Sequence, residues 1–127
     1  MSDQSVAIVT GGASGIGLGI ASTLIAEDYD VFVLDNDLQH VDEYNASHLL
    51  SRARVCDVSD ALAVVTEIDG VFHVAGRIDL LVNNAGISGP TAPVEAADPS
   101  DWQKTVDVGL TGTFNVTRSV APIMKAQ

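Results

Sequence analysis

The chain has 127 residues, with 17 acidic side chains against 6 basic ones and a formal net charge of −11, so nucleic acid and anionic membrane surfaces are excluded as expected partners. Its length suits one domain spanning residues 1–127, and a hydrophobic content of 46% excludes a disordered tail. No apolar run approaches the roughly 20 residues of a membrane helix, and the Met1-Ser2-Asp3-Gln4-Ser5 start has no basic patch or apolar stretch of a signal peptide, so a cytoplasmic location is expected.

Short unbroken apolar runs recur at residues 6–9, 31–34, 53–56 and 78–82, with longer mixed segments between them. Continuous rather than alternating apolarity predicts strands covered on both faces, as in a parallel sheet. The first run leads into Thr10-Gly11-Gly12-Ala13-Ser14-Gly15-Ile16-Gly17 and then an amphipathic segment to about Glu27, with Ile16, Ile20 and Leu24 at helical spacing beside Ala21. A strand delivered through a glycine-rich turn into a helix start gathers backbone N–H groups and the positive end of the helix dipole at one spot, which suits a phosphate. Gly11 and Gly12 permit the tight turn, Gly15 leaves room for a pyrophosphate, and Gly17 lets helix and strand approach closely.

The second run ends at Asp35, 18 positions after Gly17 and near the roughly 20-residue offset of an acid that hydrogen-bonds an adenosine ribose. That carboxylate would repel the 2′-phosphate of NADP, and neighbouring Asn36 and Asp37 supply no positive charge, so NAD is expected over NADP. A short helix is predicted over residues 39–46. Ser59 or Asp60 starts a third, with Leu62, Val65, Ile68, Phe72 and Ala75 on its apolar face, closed by Gly76-Arg77. After the fourth run a Gly/Pro/Ser/Thr-rich loop covers residues 86–97. Asp98-Pro99-Ser100-Asp101 then caps a long final helix, with Trp102, Val106, Leu110 and Phe114 as its buried stripe, Gly109 and Gly112 interrupting it, and Pro122 kinking or ending it. The predicted fold is α/β, a Rossmann-type doubly wound parallel sheet in strand order 3-2-1-4, with a binding crevice where the order reverses between strands 1 and 4.

Cys56, the single cysteine, is assigned to core packing, and His40, His48 and His73 show no ligand spacing and are read as surface or packing residues, so no metal site is expected. Asp57-Val58 follows the third strand, and Asn83-Asn84-Ala85-Gly86 follows the fourth. Together with the glycine turn, Asp35 and the helix from Trp102 to Phe114, these residues make the chain resemble the amino-terminal half of a short-chain dehydrogenase/reductase over nearly its whole length. The resemblance implies that Asp57 and Val58 contact adenine, that Ser14 and Ile16 lie by the phosphates and ribose, and that Asn83, Ala85 and Gly86 line the cofactor channel, while Asn84 reads better as a structural hydrogen-bonding residue.

The same resemblance exposes two departures. The family uses a serine, a Tyr-x-x-x-Lys pair and a relay asparagine, and the position matching that asparagine is Gly109, which has no side chain to hydrogen-bond. The sequence reaches Gln127 without the serine and Tyr-x-x-x-Lys, since Tyr29 is followed at the fourth position by Val33 and Tyr44 by His48. The expected function is therefore that of an NAD-binding oxidoreductase acting between NAD(H) and an alcohol or carbonyl, inactive as this chain alone, with a catalytically dead nucleotide-binding or interaction module as the alternative. An apolar fourth-strand edge and the final helix are expected to support a homo-oligomer.

Overall fold

The computed structural model describes residues 3–127; the Met1-Ser2 start of the segment read for a leader lies outside them. Four parallel strands, β1 (Val6–Thr10), β2 (Asp30–Asp35), β3 (Ala53–Val55) and β4 (Leu80–Val82), form one sheet in the order β3-β2-β1-β4. Between them run α1 (Gly15–Ala26), α2 (Leu38–Ser47) and α3 (Ala61–Ala75). A 3₁₀ turn (Val94–Ala96) leads from the loop after β4 into α4 (Pro99–Val106), a π-helical segment (Asp107–Thr111) and α5 (Gly112–Ala126).

The unbroken apolar runs are explained by what lies on each face. Along β1 and β2, Val6, Ile8, Phe32 and Leu34 point into a core shared with Val64, Ile68 and Val71 of α3 and Val116 and Val120 of α5. The alternate residues Ala7, Val9, Val31 and Val33 point the other way, onto Ala21 of α1 and Val41 and Tyr44 of α2. Successive side chains of a strand face opposite sides, so a strand covered twice must be apolar throughout. Each fully buried valine, leucine or isoleucine contributes roughly 1.5–3 kcal/mol of transfer free energy. Ile8, Leu34, Val9 and Val33, all fully buried, concentrate that contribution in the central strands.

Strand ends are fixed by side chains as well as by ladder bonds. Cys56, predicted as the last residue of the third strand, lies just past it, but its N–H still donates to the Asp35 carbonyl at 2.9 Å. Ile78 and Asp79 precede β4; Asp79 N–H donates to the Val6 carbonyl, and its carboxylate accepts from Val6 N–H at 2.8 Å. Gln127 clamps the same corner, its Oε1 accepting from Ile78 N–H and its Nε2 donating to the Ile78 carbonyl.

Two helix faces differ from expectation. On α3, capped by Asp60 and closed by Gly76 in the left-handed region, Val64, Ile68 and Val71 are buried, while Leu62, Val65 and Phe72 are exposed. Two adjacent apolar stripes exist on this helix, and packing against the sheet and α5 selects between them. On the last helix, Val106 is half-buried but Trp102, Leu110 and Phe114 are 58%, 70% and 63% exposed. Steps of four residues overshoot a turn by about 40° each, and the π segment shifts the phase again, so Gly112, Asn115, Val116 and Val120 face the core instead. Pro122 does not end the helix, which continues to Ala126. Ile16 is likewise exposed, leaving Gly17 and Ala21 as the buried face of α1. Among the described residues no helix is long and apolar enough to cross a membrane.

Candidate functional site

The carboxyl ends of β1, β2, β3 and β4 open onto a cleft of about 430 Å³. Its floor is the turn from β1 to α1. Gly11 adopts φ +63°, and its N–H donates to the Leu34 carbonyl at 2.7 Å, tying the turn to β2. Gly15 opens α1 at φ +55°, with empty space where a side chain would stand. At Gly17 a Cβ would run into the Gly11 carbonyl and the Asn84 amide, so only glycine allows this approach of helix to strand.

Ser14 occupies the N-cap position of α1 but offers no side-chain cap, and the first turn holds no acidic residue. The amides of Gly15, Ile16 and Gly17, which no helical carbonyl can satisfy, therefore have no side-chain partner from the N-cap, and Ile16 and Gly17 line the cleft. Hydrogen bonding and the helix dipole both favour negative charge at such a helix start.

Asp35 stands beside this floor at the end of β2. It is 7% exposed, and its two carboxylate oxygens accept from Ala13 N–H at 3.2 Å and Asp37 N–H at 3.0 Å. Two backbone donors fix the carboxylate's orientation while its remaining lone pairs stay available to a ligand's hydroxyls. On the next wall, Asp57 accepts from Ser59 N–H and Oγ, and buried Val58 is held from behind by α5: Asn115 Nδ2 donates to the Val58 carbonyl at 3.0 Å, and Gly112 leaves room for its side chain.

The β1 and β4 ends are bolted together by Thr10 and Asn84. Thr10 Oγ1 accepts from the N–H groups of Asn84 and Ala85, both at 3.0 Å. Asn84 Nδ2 donates to the carbonyls of Thr10 and Gly11 at 3.0 and 3.1 Å. This carboxamide borders the cleft while its N–H groups are spent on the backbone.

Of the residues named from sequence, Gly11, Ser14, Ile16, Gly17, Asp35, Asp57, Val58, Ala85 and Gly86 line the cleft together. Gly15 shapes the turn without lining it. Asn83 does not line it either: its amide donates to Thr117 Oγ1 at 3.1 Å, away on α5. The structure adds Leu34, Asn36, Asp37, His40, Cys56, Ile87 and Val108. Asn36 and Asp37 are signalled by adjacency to Asp35. His40, read as a surface or packing residue, sits one turn into α2 at the cleft, with Nδ1 3.6 Å from Asp37. Val108 had no local signal, because the π segment decides where it points.

The lining holds acids and one histidine but neither lysine nor arginine. Cys56 is no nucleophile: burial, then Glu67, Asp57 and Asp60, push its thiol up to about 11, so it stays protonated at neutral pH. No group of three or more metal-ligating side chains occurs among the described residues. Gly109, in the π segment, has open space where a side chain would project. The lining thus brings carboxylates, one histidine, apolar side chains and the glycine-rich turn to one cleft.

Residues 5–127 match the family model described as short chain dehydrogenase. D-threitol dehydrogenase of Mycolicibacterium smegmatis is 36% identical over 126 residues, covering 96% of this chain and 48% of that protein. Among solved structures, NAD+-bound xylitol dehydrogenase matches with a TM-score of 0.89 and 34% identity, over 97% of this chain and 49% of its own. Actinorhodin polyketide ketoreductase with NADPH matches at 0.88 and 33%, over 96% of this chain and 48% of its own. The chain spans about half the length of the curated relatives it matches.

Proposed function

Because the chain belongs to the short-chain dehydrogenase family, we propose that it forms the NAD(H)-binding part of an oxidoreductase that moves hydride between NAD(H) and an alcohol or carbonyl substrate. The observation that carries this reading is the buried Asp35 carboxylate, held by two backbone amides beside the uncapped first turn of α1. In this reading the amides of Gly15, Ile16 and Gly17 hold the diphosphate, and Asp35 accepts from the adenosine ribose hydroxyls. Asp57 accepts from the adenine amine, Val58 walls the ring, and Ala85 and Gly86 let the cofactor approach the backbone closely. When bound, the nicotinamide supplies the hydride donor or acceptor.

Preference for NAD over NADP follows from charge. A 2′-phosphate would meet the Asp35 carboxylate with no lysine or arginine lining the cleft to offset it. At about 4 Å, like charges near a protein surface repel by roughly 1–4 kcal/mol, enough for a selectivity of about tenfold or more. Calorimetric titration tests this: NADH is expected to bind at least about tenfold more tightly than NADPH. Equal affinities would remove the role given to Asp35.

The chain itself brings no Tyr-x-x-x-Lys. Proton transfer from a positioned group is worth roughly 10²- to 10⁴-fold, so the 127-residue chain turns over at background. Gly109 favours a second reading, a nucleotide-binding module of the same fold without chemistry, since even a longer chain would lack the relay side chain at this position. Turnover by a longer protein containing this chain and a downstream Tyr-x-x-x-Lys would reject that second reading. Self-association through the β4 edge or the last helix belongs to the same proposal, because the sheet ends on an outer apolar strand and three large apolar side chains of that helix are exposed.

A further inference from the structure

His40 is the one side chain lining the cleft that can become a cation, since neither lysine nor arginine lines it. Its position is set by the start of α2. Asp37 caps that helix: one carboxylate oxygen accepts from His40 N–H at 3.1 Å, and the other lies 3.6 Å from Nδ1 of the ring. Asp37 is tied in turn to Asp35, whose carboxylate accepts from Asp37 N–H at 3.0 Å. Asp35, Asp37 and His40 therefore form one connected rim of the cleft beyond the end of β2. At 3.6 Å the Asp37 contact is too long for a hydrogen bond, and neither ring nitrogen makes one elsewhere among the described residues. The His40 side chain is 40% exposed, so it can meet a ligand without leaving a packed position.

The charges around this ring are all of one sign. Asp37 stands at its own helix start, Asp35 ends β2, and Asp57 follows β3 and lines the same cleft. Glu43, one turn along α2, accepts from Gln39 Nε2 at 3.0 Å. The turn from β1 to α1 and the segment after β4 bring no charged side chain to the lining. Imidazole is the side chain whose charge ordinarily changes between about pH 5 and 8. Protonation puts a single positive charge on a rim of carboxylates, beside the acid that otherwise repels a phosphate.

We propose that His40 is a specificity-determining residue of the cleft: neutral, it leaves Asp35 to exclude a ribose 2′-phosphate, and protonated, it admits one by pairing with it. The inference rests on the assignment of the cleft to a nicotinamide dinucleotide with Asp35 at the adenosine ribose. It makes the choice between NAD and NADP a function of pH rather than a fixed property. As pH falls, His40 gains charge and NADP binding strengthens relative to NAD. A 2′-phosphate itself takes up a proton near pH 6, which also eases its repulsion by Asp35, so a neutral variant is needed to isolate the share of His40.

Calorimetric titration of NAD+ and NADP+ at about pH 8 and about pH 5.5, on the wild-type chain, His40→Gln and His40→Arg, tests it. Between those pH values the ratio of NADP+ to NAD+ affinity is expected to rise at least about fivefold more in the wild type than in His40→Gln. His40→Arg, charged throughout, is expected to hold the ratio about tenfold above wild type already at the higher pH. The same pH dependence in wild type and His40→Gln, or an unchanged ratio in His40→Arg, would overturn the role given to His40. NAD+ binding that still weakens in Asp35→Asn would then leave the cleft assignment standing. Absence of NAD+ binding, or NAD+ binding indifferent to Asp35→Asn, would instead remove the cleft assignment and this inference with it.

Discussion

Glycines in the same turn and helix respond in opposite directions to one added methyl group. Gly17→Ala would place a Cβ against the Gly11 carbonyl and the Asn84 amide, forcing backbone apart at the seam between β1, α1 and β4. A loss of about 1–3 kcal/mol is expected from such overpacking, read as a lower midpoint in urea unfolding. Gly19, two residues on, has nothing near its Cβ position. Gly19→Ala is expected to stabilise by about 0.8–1 kcal/mol through helix propensity alone. A matching loss at both positions would show that the seam is looser than its contacts imply. Asp35→Asn tests the site itself. It keeps the shape but removes the charge proposed to accept from ribose hydroxyls, so NADH affinity is expected to fall roughly 10- to 100-fold by calorimetry, while NADPH affinity falls less or rises. At this scale the sequence was most readable: an acid at a strand end and glycines at a strand-to-helix turn are local signals. His40 borders the cleft because of where α2 starts, which its spacing from other histidines does not signal.

Elements are tied to one another by a small number of charged and polar anchors, and the corner before β4 shows the consequence. Asp79 accepts from Val6 N–H and from Arg77, whose Nη2 lies 2.7 Å away. The Arg77 hydrogen bond holds the Asp79 carboxyl below its ordinary value, against a smaller opposing effect of burial. A carboxyl whose folded pKa is depressed contributes stability above its unfolded pKa, near 3.9, and loses that contribution as pH falls through the lower folded value. Acid titration of stability is therefore expected to show a loss beginning below about pH 4 that is smaller in Asp79→Asn. An identical acid profile in the variant would remove Asp79 from the account. The strands were legible because β1 and β2 are covered on both faces, which forces unbroken apolar runs. The faces of α3 and of the last helix were not. α3 carries two adjacent apolar stripes, and the turn-by-turn phase of the last helix is reset by a π segment at Asp107–Thr111 that no residue in it announces.

At the scale of the whole molecule, the sheet runs from β3 at one side to β4 at the other, and β4 is hydrogen-bonded on one side only. Exposed Trp102, Leu110 and Phe114 add apolar surface on the final helix. Sedimentation is expected to show a dimer or larger species at high micromolar concentration, and Leu110→Glu separates the two surfaces: a dimer built on the helix dissociates, and one built on the β4 edge persists. A monodisperse monomer across that range would contradict the proposed self-association.

The central claim is that the turn from β1 to α1 receives a dinucleotide's diphosphate while Asp35 holds its ribose. A crystal structure of this chain grown with NAD+ tests it most directly. The account predicts diphosphate density within hydrogen-bonding reach of the first-turn amides of α1 and a ribose diol on the Asp35 carboxylate. Density for NAD+ elsewhere on the chain, or a ribose turned away from Asp35, would contradict it.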